Sequence, residues 1–128
     1  MMRIGEVVAA LGISADTLRY YEKIGLIPRV ERNGGVRYYR EKDLSRLRFI
    51  KRAQKMGFSL EEIANLLSFR ENPQQAKPQV RELAQQKLLQ IEQHLAELGA
   101  LRAELRLLTN LCGANSQGCP ILDEIDKG

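Results

Sequence analysis

Cys112 and Cys119 are the two residues of this 128-residue chain best suited to chemistry beyond simple binding. Between them run Gly113-Ala114-Asn115-Ser116-Gln117-Gly118, small or polar residues with a glycine at each end, so the chain can turn tightly there. Thiolates prefer soft ions, and two suffice for linear coordination of Cu(I), Ag(I), Au(I) or Hg(II). A zinc site ordinarily takes four ligands, and the chain has no further cysteine. Its one histidine, His94, lies about five helical turns upstream of Cys112. The same pair could instead pack as small hydrophobes, or close a reversible disulfide once the sulfurs approach to about 2 Å. Spacing alone leaves metal binding, redox chemistry and packing open.

A second constellation is cationic. Residues 1–70 hold 14 Lys/Arg against 8 Asp/Glu, whereas residues 71–128 hold 6 against 8. A basic head joined to a mildly acidic tail suits a polyanion-binding unit with a separate task behind it. Ile4, Val7, Val8 and Leu11 fall at helical spacing, and Gly12 ends that short helix. Ser14 can cap the next helix, which runs through Thr17-Leu18-Arg19-Tyr20-Tyr21-Glu22-Lys23 towards Gly25. Two short helices across a tight turn, the second rich in Arg and Tyr, form a helix-turn-helix pattern. Behind it, Asn33-Gly34-Gly35 separates Arg29–Arg32 from Val36–Tyr39, and Asn-Gly tolerates the positive φ of a tight hairpin. The resulting ribbon carries Arg29, Arg32, Arg37 and Arg40, a basic wing placed to grip phosphates beside the groove.

Leu44, Leu47, Phe49, Ile50 and Ala53 predict an amphipathic helix closed by Gly57, with Arg46, Arg48, Lys51 and Arg52 forming its solvated face. Ser59-Leu60-Glu61-Glu62 reads as a capping box that opens a helix through Ile63, Leu66 and Leu67. These elements complete a head over residues 1–70, followed by a Pro- and Gln-rich hinge at 71–78. From 79 to 110, Ala84, Leu88, Ile91, Leu95, Leu98, Leu101, Leu105 and Leu108 repeat at intervals of three and four, a coiled-coil seam. A single helix of about 45 Å has nothing of its own to cover such a seam, so homodimerisation is expected. Residues 111–128 form a short cysteine loop and a closing turn built on Ile121, Leu122 and Ile125.

One histidine allows no Ser/His/acid or Cys/His constellation, and no Gly-rich phosphate loop follows a strand, so an enzyme is not expected. No apolar run approaches the ~20 residues needed to span a bilayer. Glu6 interrupts the first apolar stretch, unlike a signal peptide. A cytoplasmic location with reduced thiols is the expectation.

Several stretches resemble the mercury-resistance-regulator (MerR) family of transcription factors. They are Ile4-Gly5-Glu6-Val7, Thr17-Leu18-Arg19-Tyr20-Tyr21-Glu22, the Gly34–Tyr39 wing, Leu47-Arg48-Phe49-Ile50-Lys51-Arg52-Ala53-Gln54 and Met56-Gly57-Phe58-Ser59-Leu60-Glu61-Glu62-Ile63. The resemblance implies a mainly α fold: a winged helix-turn-helix head, an antiparallel coiled-coil dimerisation helix and a short C-terminal metal-binding loop. It implies a homodimer on a palindromic promoter with a long spacer, distorting the operator DNA so that RNA polymerase engages both promoter elements. Carried over to this chain, Thr17, Arg19 and Tyr20 lie at the major groove, with Arg32, Arg37 and Tyr38 on the wing.

The cysteine loop is similar to that of the metal-sensing branch, closest to the copper-efflux regulators, in which two loop cysteines hold a monovalent ion linearly. Cys112 and Cys119 match those ligands, in a loop slightly shorter than usual. Divalent sensors of the family carry a cysteine at the start of the dimerisation helix and copper sensors a serine; Lys77 stands there in this chain. The resemblance therefore implies an activator with Cu(I), Ag(I) or Au(I) as effector. The alternatives are a thiol redox or electrophile sensor, and a divalent-metal (Hg, Zn, Cd, Pb) sensor of the same family.

Overall fold

The computed structural model describes residues 1–113. The chain divides into two compact units, Met1–Arg81 and the part from Glu82 onward.

The first unit contains β1 (Met2–Arg3), α1 (Ile4–Leu11), α2 (Ala15–Lys23), β2 (Glu31–Asn33), β3 (Val36–Tyr39), α3 (Glu41–Lys55) and α4 (Leu60–Glu71). A single 3-10 turn at Pro73–Gln75 follows, and α5 then runs over Pro78–Gly113. Val7, Leu18, Ile27, Tyr39, Leu47, Ile50 and Ile63 are the largest fully buried side chains, drawn from α1, α2, the loop after it, β3, α3 and α4. Each contributes about 1.5–3 kcal/mol by leaving water. One core thus ties the four helices of the head to β3.

The local signals explain the element ends. Gly12, at φ 69°, closes α1, and its N–H donates to the Val8 carbonyl. Ser14 Oγ accepts from the Thr17 N–H at 3.1 Å and so caps α2 as expected. Leu18 and Tyr21 turn the buried face of α2 inward, and the Tyr21 hydroxyl donates to Gln54 Oε1 of α3 at 2.9 Å. The capping box of α4 closes reciprocally: Ser59 Oγ accepts from the Glu62 N–H at 3.1 Å, and the Ser59 N–H donates to Glu62 Oε1 at 2.9 Å.

The wing departs from its expected form in two ways. Asn33 pairs with Val36 and remains in the strand; the two turn residues are Gly34 and Gly35, at φ 60° and 82°. Both central positions therefore need the left-handed region, as a two-residue hairpin turn of this hand requires. The sheet also has a third strand. β1 pairs antiparallel with β3, Met2 opposite Tyr39 and Arg3 opposite Tyr38, giving the order β1-β3-β2. Two residues are too short to leave an alternation in the sequence.

The long helix is longer than expected. It starts at Pro78, with the Lys77 carbonyl accepting from the Val80 and Arg81 N–H groups, and continues to Gly113. Its 36 residues span about 54 Å. Leu111 and Cys112, assigned from sequence to the loop, belong to its last turn. Leu88, Leu95, Leu98, Leu101 and Leu105 are each about half exposed, the open seam the spacing predicts. Cys119 and the rest of the loop lie outside the described residues.

Candidate nucleic-acid interface

The outward face of α2 and the wing meet at one carboxylate. Glu22 Oε1 accepts from Arg32 Nη2 and Glu22 Oε2 from Arg37 Nε, each at 3.0 Å, joining α2 to β2 and β3. The Glu22 side chain is only 7% exposed. Burial alone would raise its pKa, but the hydrogen bonds and charges of Arg37 and Arg32 outweigh that and hold it below the ordinary value. Arg19, Lys23 and Arg29 line the same concavity as Glu22, Arg32 and Arg37. Five cations around one carboxylate leave a strongly positive saddle, suited to a run of phosphates.

The other predicted contacts lie along α2 and β3. Arg19 is exposed and makes an i,i+3 pair with Asp16 at 3.1 Å, which water screens and a phosphate can displace at little cost. Tyr20 is 47% exposed, a large aromatic ring standing off the recognition helix. Thr17 is half-buried, its hydroxyl 2.7 Å from Ser14 Oγ at the start of α2. Tyr38 is half-buried on β3, with the Arg3 guanidinium 5.9 Å from its ring centroid. Arg40 pairs with Glu31 at 2.5 Å across the base of the wing.

The basic residues of α3 do not form the uniform solvated face expected of them. Arg46 is buried: Nε donates to Glu71 Oε1 at 2.7 Å, and Nη1 lies 3.4 Å from Asp43 Oδ1. The guanidinium finds one carboxylate a turn away on its own helix, Asp43, and one at the end of α4, Glu71, so its burial is compensated. Lys51 donates to the Leu11 carbonyl, satisfying the end of α1 beside the turn of the helix-turn-helix. Arg48 pairs with Glu41 on the surface, and Arg52 is exposed as predicted.

Sequence reasoning missed Glu22 and Glu71 as organisers. The signal for Glu22 was available, since it is the one acid between Arg19 of α2 and Arg29 at the start of the wing segment. Glu71 carries no such local sign.

Of the effector residues, Lys77 is exposed immediately before α5, and Cys112 lies in the helix's last turn. Among the described residues no cluster of three or more His, Cys, Asp or Glu could hold a metal ion. The sequence holds two thiols, Cys112 and Cys119, and Cys119 lies outside the described residues.

Four helices around one core, with a basic ribbon beside the second, define a winged helix-turn-helix DNA-binding protein, here followed by a long helix with an exposed apolar seam. Residues 2–69 match the family described as MerR HTH family regulatory protein, and residues 44–108 match that described as MerR, DNA binding. The chain belongs to the MerR family of transcriptional regulators. It is 43% identical over 129 residues to the HTH-type transcriptional regulator HmrR of Rhizobium leguminosarum bv. viciae, covering 99% of each chain. It is similar to the crystal structure of the transcription regulator PbrR691 from Ralstonia metallidurans CH34 in complex with lead(II). That match has 36% identity and a TM-score of 0.59, and covers 98% of this chain and 99% of the other. It is also similar to HiNmlR, a MerR family regulator lacking the sensor domain and bound to promoter DNA. There the identity is 26% and the TM-score 0.65, with 86% and 84% covered. These relatives are regulators rather than enzymes, and the family binds operator DNA. No helix among the described residues is long and apolar enough to cross a membrane.

Proposed function

We propose that the chain is a cytoplasmic, metal-responsive transcription activator that works as a homodimer on operator DNA and takes a monovalent soft ion, Cu(I) first, as its effector. Cys112 and Cys119 are the two thiolate ligands. Thr17, Arg19 and Tyr20 read the major groove, while Arg32, Arg37 and Tyr38 hold the backbone. The effector-bound dimer distorts the promoter so that RNA polymerase engages it.

The observation that carries the choice of ion is the donor set: two cysteines in the whole chain, and a lysine where a third thiol would stand. In the family an antiparallel dimer brings the start of the dimerisation helix to the partner subunit's loop, which would set Lys77 beside the two thiolates. Two thiolates with a monovalent ion leave a charge of −1, which an ammonium offsets. Two thiolates with a divalent ion leave none, and the same ammonium opposes the binding while supplying no good ligand. The seam that would pair the helices is the exposed row of Leu88, Leu95, Leu98 and Leu105.

The lead(II) complex of PbrR691 favours a divalent ion as the second reading. A Cu(I) titration of the reduced chain against a competing Cu(I) chelator, beside Cys112→Ser and a Zn(II) series, separates the readings. Tight binding of one ion per cysteine pair, lost in the variant and unmatched by Zn(II), supports the monovalent sensor. Preferential Zn(II) or Pb(II) binding transfers the site to the divalent reading. Equal weak binding by both chains ends the metal reading and leaves a thiol redox switch or plain packing.

A further inference from the structure

Arg32 and Arg37 stand directly opposite each other in the β2–β3 register. Like charges facing each other across two strands repel and weaken the hairpin. Here the pair persists because both guanidiniums share the Glu22 carboxylate, one on each oxygen at 3.0 Å. That carboxylate comes from the recognition helix, and 7% exposure shields it from exchange with water. Arg37 spends its Nε on Glu22 and Arg32 its Nη2, leaving both terminal nitrogens of Arg37 and one of Arg32 without an ion-pair partner among the described residues.

We infer that Glu22 is a positioning residue for DNA recognition: it fixes the two wing arginines at a set distance from the groove-reading face of α2. Free arginine side chains lose much rotamer freedom when a phosphate pins them. Arginines already held by a buried carboxylate have lost that freedom before DNA arrives, which is preorganisation. The bridge also transmits register, because phosphate contacts made through the wing orient the helix that reads the bases. Glu22 thus opposes DNA as a charge and favours it as a clamp. On a correct sequence the clamp dominates, and on an arbitrary one the charge does.

This inference rests on the wing arginines being phosphate contacts, and the experiment keeps the two apart. The probes are the duplex best bound by the unmodified chain in selection from a random pool, and a scrambled duplex of equal length. Affinities are measured over a range of salt, and thermal unfolding checks that each variant folds. Glu22→Gln removes the charge and is expected to bind the scrambled duplex about threefold tighter while binding the selected duplex about tenfold weaker. Glu22→Asp keeps the charge but is too short to bridge both arginines. It is expected to lose the selected duplex similarly without gaining the scrambled one. If Glu22→Gln tightens both duplexes equally and Glu22→Asp behaves as wild type, Glu22 is only an opposing charge and the clamp is wrong. Arg37→Ala is expected to weaken both duplexes alike and to lower the salt slope by about one. Should Arg37→Ala change neither, the wing reading itself fails and the clamp falls with it.

Discussion

Arg46 Nε of α3 lies 2.7 Å from Glu71 Oε1, the last residue of α4, and this contact closes the head just before the chain leaves for the long helix. The Arg46 side chain is 11% exposed, so the guanidinium depends on Glu71 and Asp43 for its compensation. The hydrogen bond from Arg46, with its charge and that of Lys42, holds the Glu71 carboxyl below the ordinary glutamate value. The pair also forms part of the wall of a shallow groove over Leu26, Pro28, Ala64 and Leu67.

Replacing Glu71 by Ala should therefore cost about 2 kcal/mol; a fully buried pair would cost roughly 3–5 kcal/mol, but Glu71 is 32% exposed. Chemical denaturation measures this. A loss near zero would mean that water already compensates Arg46. The pH dependence has a definite sign. Glu71 and Glu22 both have lowered folded-state pKa values, so their contribution is fully present above the ordinary glutamate value of about 4.3. It is lost as the pH falls through their folded values. Stability should drop as the solution is acidified below about pH 4.5, and more gently for Glu71→Gln than for the unmodified chain.

Tyr39 offers a prediction of the opposite direction. Its ring is fully buried, and its hydroxyl has no hydrogen-bond partner among the described residues. Burial, reinforced by the charge of Glu22, raises its pKa, so it stays a protonated donor with nothing to donate to. Tyr39→Phe removes an unsatisfied group without changing the packing, and should leave stability unchanged or raise it by up to about 1 kcal/mol. A clear fall in the unfolding midpoint would show that the hydroxyl does bond in solution.

At the effector end, Lys77→Cys should shift metal preference. The substitution removes an ammonium and supplies a thiolate at the start of α5. Affinity for Zn(II) or Pb(II) should rise at least about tenfold relative to Cu(I), since soft and borderline divalent ions favour a third thiolate. Competition titrations of both chains provide the measurement. If the ratio does not move, Lys77 faces water away from the cysteines and has no part in choosing the ion.

Much of this protein was legible from its residues. Gly12, Ser14 and the Ser59–Glu62 box fix helix ends through contacts within four residues, so they read correctly from spacing alone. The seam of Leu88 to Leu108 and the basic wing were likewise periodic or local features. Gly34-Gly35 gave a hairpin, although the positive φ angles fell one residue later than Asn33 suggested, because strand pairing extends to Asn33 opposite Val36. The choice of ion rests on Cys112, Cys119 and Lys77 as read from the sequence, with Cys119 outside the described residues.

The tertiary structure decided what depends on distant partners. Strand β1 exists because Met2 and Arg3 find Tyr39 and Tyr38, some thirty-five residues away, and no two-residue pattern announces that. Arg46 is buried rather than solvated because Glu71, twenty-five residues later, arrives within a hydrogen bond of it. Glu22 becomes a clamp only once the hairpin folds back onto α2. Helical periodicity reports which face a residue occupies, but the pairing of a charge is set by whatever the folded chain brings against that face.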